Sequence, residues 1–200
     1  MGNRVIAINR QFGSGGHEIG KLLAEKLDIP FYDKALIRLA SERSGLNPEL
    51  IEREEERKTN QWLYAGLTDT SQSIINNLPP TDITFAIQRD IILDAARQGD
   101  CVIVGRCSDA ILKETDARVL SVFIAAPFED RVKRKMEIMG MDEHETAVTV
   151  RKTDKRRKAY YNFNTGLEWG KPENYDICVN STALGIEGVV DTLARLFEKL

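Results

Sequence analysis

Two hundred residues, 42% hydrophobic and 30% charged, make the length of one domain and the composition of a globular chain, which excludes disordered, collagen-like and coiled-coil classes. No window approaches the roughly 18 apolar residues of a membrane span, and Met1–Ile8 lacks the apolar stretch and cleavage site of a secretion signal, so a cytoplasmic protein with no membrane partner is expected. The net charge of −3 gives no global field for nucleic acid, and Cys101, Cys107 and Cys178, with no CxxC pair, suggest neither a disulfide framework nor a zinc cage.

Val5-Ile6-Ala7-Ile8 is short, β-branched and apolar, and it runs into Arg10-Gln11-Phe12-Gly13-Ser14-Gly15-Gly16: a strand followed by a glycine loop. Ile19, Leu22, Leu23 and Leu27 then recur at helical spacing until Asp28-Ile29-Pro30 stops them ahead of a second strand, Phe31-Tyr32-Asp33. Residues 34–80 read as an inserted helical region carrying the charge run Glu52 to Lys58. Thr81 or Asp82 can cap a new helix, whose apolar side is Ile83, Ile87, Ile91 and Leu93 and which ends by Gly99. Cys101–Val104 and Val119–Ile124 are near-continuous apolar runs of strand length, the signature of strands covered on both faces, and Ile177–Val179 is a weaker case. Helical stretches at 107–114, 127–139 and 142–162 and the amphipathic segment Ile186–Leu200 alternate with them. Such alternation predicts an α/β fold with a parallel sheet between two helical layers.

Between the first strand and the first helix, Gly13-Ser14-Gly15-Gly16 lets backbone N–H groups converge on an anion at the positive helix end, so phosphate is the expected ligand. A dinucleotide fingerprint would need a third glycine where Glu18 stands, although Asp33 does lie twenty residues after Gly13. An oxidoreductase reading rests on Gly13, Gly15 and Asp33 alone. A literal GxxxxGK spans Gly15–Lys21, but Leu22 follows it and Gly20-Lys21 falls inside the periodic helix, so that match is accidental and Lys21 is expected on the helix surface.

The ordered set Arg10–Ile19, Ile29–Lys34, Val102–Arg106, Asp154-Lys155-Arg156-Arg157, Tyr160-Tyr161-Asn162 and Tyr175–Ser181 resembles the divergent bacterial branch of the cytidylate-kinase-like family of P-loop nucleoside monophosphate kinases. The resemblance implies a three-layer P-loop NTPase-like core (1–33, 81–134 and 166–200), an NMP-binding insertion at 34–80 and a lid at 135–165. It further implies ATP, Mg2+ and a nucleoside monophosphate, CMP or dCMP, as the small-molecule partners. The alternative is a nucleotide-binding regulator with a degenerate loop and little or no kinase activity.

Aligned through Ala24-Glu25-Lys26-Leu27, that resemblance puts Gly16 where the family's phosphate-binding lysine stands and Glu18 where its Ser/Thr stands; Val104 replaces the acid ahead of Gly-Arg. The charge on the migrating group must then be met by other cations. Arg106, Arg131, Arg156 and Asp33 are the catalytic candidates, and Arg10, Gly13, Ser14, Gly15, Gly16, His17 and Glu18 the phosphate loop. Glu18 suits a carboxylate that hydrogen-bonds to a metal's ligands or a first-turn acid opposing the helix dipole, and Asp33 a metal or base-side carboxylate or a helix cap; metal ligands stay unassigned.

Arg151, Lys152, Lys155, Arg156, Arg157 and Lys158 put six positive charges into eight residues, opposed only by Asp154. On a helix, Lys152, Lys155 and Arg156 share a face that can point across a cleft at phosphates. Tyr160, Tyr161, Phe163 and Trp169 offer faces for a base or packing for a lid hinge; single-stranded RNA is disfavoured by the net acidity. Trp62, Leu63, Tyr64 and Leu67 suit either a homodimer contact or internal packing.

Overall fold

The computed structural model describes residues 2–33 and 80–200. Its elements are β1 (Arg4–Arg10), α1 (Gly16–Leu27), β2 (Phe31–Tyr32), α2 (Pro80–Gln98), β3 (Cys101–Val104), α3 (Ser108–Ile111), β4 (Arg118–Ala125), α4 (Phe128–Met139), α5 (Glu143–Thr165), β5 (Ile177–Asn180) and α6 (Ser181–Phe197). The five strands form one parallel sheet in the order β2-β3-β1-β4-β5.

Alternation along the strands sorts the core into two faces. Ile6, Ile8, Val102, Val104, Leu120, Val122 and Ile124 meet Ile19 and Leu23 of α1 and Val189, Val190, Leu193 and Phe197 of α6. Val5, Cys101 and Ile103 point the other way, onto Ile91, Ile92, Ala95 and Ala96 of α2, Ile111 and Leu112, and Tyr161 of α5. The result is the expected three-layer α/β architecture. Its middle strand, β1, is buried from Val5 to Ile8, which is why that segment carries no polar residue.

Where boundaries differ from the periodicity, backbone chemistry explains them. Helix α6 starts five residues before Ile186, because Asn180 Oδ1 accepts from the N–H groups of Thr182 (3.0 Å) and Ala183 (3.4 Å). The chain then leaves helical geometry at Gly185 (φ 70°, ψ 162°), so the apolar repeat becomes visible only beyond the kink. The stretch 107–114 divides into α3 and a single 3-10 turn, Leu112–Glu114. Helix α5 runs on to Thr165, where Gly166 closes it in the left-handed region.

Gly20 sits buried in α1 against the sheet: a Cβ there would lie 2.6 Å from Val104 Cγ2 and 3.1 Å from Phe31 Cε2. Alanine would favour the helix by about 1 kcal/mol, whereas overpacking costs about 1–3 kcal/mol. Gly20→Ala is therefore expected to lower stability by about 1 kcal/mol, read as a lower urea midpoint at constant m. Lys21 beside it is exposed and pairs with Glu25 at 3.7 Å, in keeping with an accidental GK.

The proposed insertion, with Glu52–Lys58 and the Trp62, Leu63, Tyr64 and Leu67 group, lies outside the described residues apart from Pro80. Among the described residues, no helix is long and apolar enough to cross a membrane.

Candidate active site

All five strands end at the same edge of a parallel sheet, and three of them feed one place. The loop after β1, Asp33 after β2 and Gly105–Cys107 after β3 enclose a cleft of about 670 Å³ with α1, α4 and α5. Its lining carries the basic side chains Arg10, His17, Arg106, Arg134, Lys135, Arg156 and Arg157 against two acids, Glu18 and Asp33.

Gly13 (φ 87°) and Gly15 (φ 79°) lie in the left-handed region, and a Cβ on Gly13 would come within 2.7 Å of the Arg131 carbonyl oxygen. No side chain caps the start of α1, so its first amides stay available to a ligand. Behind the loop, Ser14 Oγ donates to the Gln11 carbonyl (2.9 Å) and Ser181 Oγ donates to the Ser14 carbonyl (2.6 Å). The Ser14 hydroxyl thus holds the loop's shape and is not part of the cleft lining.

Arg10 reaches to within 3.7 Å of Asp33 Oδ1, and His17 Nε2 lies 2.9 Å from Asp33 Oδ2 with its ring edge-on to Phe31. Glu18 pairs with Arg134 across the mouth of the cleft. Arg157 Nη1 donates to the Arg10 carbonyl (2.9 Å), and burial, then the Arg10 charge, pushes its guanidinium down to about 9. Lys135 is lowered in the same way, first by burial and then by Arg134 and Arg157. A buried excess of positive charge is costly by itself and is relieved by an anion.

Arg131 is elsewhere. Its Nη1 donates to the Phe12 carbonyl (3.0 Å) and to Asp154 Oδ2 (2.6 Å), its Nε donates to the Ala126 carbonyl (3.0 Å), and Asp154 Oδ1 accepts from the Phe12 N–H (2.7 Å). It clamps the loop backbone from outside the cleft lining. Arg151 stacks on Phe128 at 4.4 Å, and neither it nor Lys152 or Lys155 lines the cleft. The structure thus gathers Arg10, Gly13, Gly15, Gly16, His17, Glu18, Asp33, Arg106, Arg156 and Arg157, and leaves Ser14, Arg131, Arg151, Lys152 and Lys155 outside that group.

Sequence reasoning passed over Arg134 and Lys135, although the run Lys133-Arg134-Lys135 beside Arg131 was a usable signal. It also missed Asp109, whose buried carboxylate accepts from Asn9 Nδ2 (2.8 Å) and Tyr161 Oη (2.6 Å) under the cleft floor. Burial raises the Asp109 carboxyl above its ordinary range. Protonation therefore favours the folded state: this contribution is complete below about pH 4 and is lost as pH rises through the raised value. Against Asp109→Asn, the wild-type chain should gain relative stability between about pH 7 and about pH 4, a shift measured by urea titration at both ends.

The cytidylate kinase-like family matches residues 5–183. The chain belongs to the cytidylate kinase-like family. It is 24% identical over 192 residues to a cytidylate kinase of Ignicoccus hospitalis, covering 96% of this chain and 98% of that protein. It is also 27% identical over 183 residues to a uronate isomerase of Corynebacterium glutamicum, covering 86% of this chain but spanning only 33% of that protein. An uncharacterised protein from Eubacterium ventriosum has 30% identity and a TM-score of 0.71, with 98% and 99% of the two chains covered. Shikimate kinase from Bacteroides thetaiotaomicron, at 17% identity and a TM-score of 0.55 over 98% of both chains, shares the fold alone.

Membership of the cytidylate kinase-like family implies magnesium, and the described residues do not make a site for it. Glu18 is engaged by Arg134, Asp33 faces His17 and Arg10, and Val104 is fully buried and apolar. Among the described residues, no three His, Cys, Asp or Glu side chains are grouped to hold a metal ion.

Proposed function

We propose that the protein transfers the γ-phosphoryl group of ATP to a nucleoside monophosphate, with CMP or dCMP as acceptor. One observation carries the reading: the glycine loop, Arg106 at β3's end and Arg156 and Arg157 of α5 line one cleft. The Gly13–Gly16 amides, with Arg10 and His17, receive the ATP phosphates. Arg106 takes the acceptor's phosphate, and Arg156 and Arg157 neutralise the group in flight. Asp33 orients Arg10 and His17.

An acceptor phosphate oxygen, already anionic, attacks the γ-phosphorus in line while the bond to the β-phosphate oxygen breaks, leaving ADP and a nucleoside diphosphate. No general base is required. What the protein supplies is alignment, charge and exclusion of water, and we assign the last to the lid at 135–165. Tyr160 and Trp169, both at the cleft, offer faces to a base. A cytoplasmic location fits an ATP-consuming reaction.

A coupled ADP-release assay across the common nucleoside monophosphates tests this, with CMP or dCMP expected to give the highest rate. Absence of turnover with every acceptor, on folded protein, removes the reading. Gly16, Glu18 and Val104 in the three altered positions support a second one, a nucleotide-binding regulator. Calorimetry with ATP and CMP, with and without magnesium, separates the two: tight, metal-indifferent binding without product favours the regulator.

A further inference from the structure

In the alignment that the resemblance to P-loop kinases implies, Gly16 stands at the position of their phosphate-binding lysine. A Cβ on Gly16 would lie 2.5 Å from Arg10 Cβ, 2.9 Å from Arg10 Cγ and 3.3 Å from Ile124 Cβ, so the space where a side chain at 16 would begin is filled by the methylenes of Arg10. Further along, a Cβ on Gly105 (φ 84°) would collide with Arg10 Nη1 and stand 3.2 Å from its Cζ. Two glycines therefore border the path of one arginine side chain, one at its root and one at its head. The head is steadied by Asp33 at 3.7 Å, and the backbone of the same residue is gripped by Arg157.

We infer that Arg10 and Gly16 are a reciprocal exchange: the phosphate-binding cation has moved from the first helical position to the last residue of β1, and Gly16 is glycine because Arg10 passes over it. The inference rests on the reading that the cleft holds a nucleotide's phosphates. Arg10 ends β1 and enters the same loop, so its guanidinium reaches the cleft from the strand side while the loop amides face it from the helix side. A planar guanidinium presents several donors in a fixed fork, and it grips two phosphate oxygens where an ammonium would grip one. A second guanidinium, that of the half-buried Arg157, lines the same cleft with Arg106, and like charges are brought together in this way where an anion is to lie between them. An arginine kept only to fix Asp33 and His17 would fill the same space over Gly16 but would carry no ADP affinity.

The two roles predict different mutant cycles, read by ADP binding in calorimetry. Arg10→Ala should weaken ADP by about tenfold or more, measured at a temperature where melting shows the variant fully folded. Gly16→Lys in the wild-type background should also weaken it, because the two side chains compete for one volume. The double variant Arg10→Ala/Gly16→Lys should recover to within about threefold of wild type, a non-additivity expected only of residues sharing a site. Should Gly16→Lys not fold, Gly16→Ala serves: its single methyl should weaken ADP in the wild-type background and be neutral in Arg10→Ala. Unchanged ADP affinity in Arg10→Ala, or an equal cost of the position-16 substitution in both backgrounds, overturns the exchange. The cycle is independent of turnover: ADP binding without product, with the cycle as predicted, leaves the exchange standing while the kinase reading fails. A wild-type chain that binds no ADP ends both.

Discussion

Arg106→Ala and Arg156→Ala should each lower kcat/KM by about 10²-fold while the melting midpoint stays within a degree or two. Both side chains line the cleft, Arg106 from the turn after β3 and Arg156 from α5. In phosphoryl transfer the protein's contribution is positioning and electrostatic, and losing one donor aimed at developing charge costs about 3–4 kcal/mol. Neither replacement carries a backbone penalty of its own, for separate reasons. Arg106 sits at φ 60°, a conformation that strains alanine as much as arginine, so the replacement leaves the backbone cost unchanged. Arg156 stands on one side of a long helix where alanine is the better helix former. Steady-state kinetics together with thermal melts check the pair. Near wild-type rates in both variants would show that the phosphates are met by other cations.

The largest stability effect is expected at Asp154. Asp154→Ala should cost about 3–5 kcal/mol, because the Arg131 guanidinium, with its side chain only 8% exposed, would remain charged and buried without its carboxylate. The Phe12 N–H would lose its acceptor as well. Asp154→Asn keeps an acceptor but not the charge and should fall between. Removing both partners, as Arg131→Met/Asp154→Leu, should cost less than Asp154→Ala alone, since no uncompensated ion is left. Urea unfolding of the four proteins measures this. A double variant that costs as much as Asp154→Ala or more would mean the pair is not the unit described.

Much of the fold was legible because it is written in short-range patterns. Val5–Ile8, Cys101–Val104 and Val119–Ile124 could be nothing but covered strands at their length, and the glycines at 13, 15 and 16 left the chain no regular alternative. The first turn of α6 was hidden because the helix breaks at Gly185, so Asn180 caps a turn with no apolar period behind it.

The site was legible in its loop and less so in its cations. A basic residue announces charge but not direction. Arg131 and Arg134 are neighbours on α4, yet one is turned inward to clamp the Phe12 carbonyl and the other outward to Glu18. Only tertiary packing decides that, as it decides that Arg156 and Arg157 line the cleft while Lys152 and Lys155 do not. Asp109 escaped notice for a related reason: an acid inside an apolar segment has a meaning only once Asn9 and Tyr161, far away in sequence, are seen to donate to it.

The most direct test of the whole account is a crystal structure of the protein with ADP and CMP bound together. The ADP β-phosphate should lie within hydrogen-bond distance of the Gly13–Gly16 amides and the Arg10 guanidinium, with the CMP phosphate facing Arg106 across the same cleft. Density for ADP anywhere else, with that loop touching only protein, would contradict it.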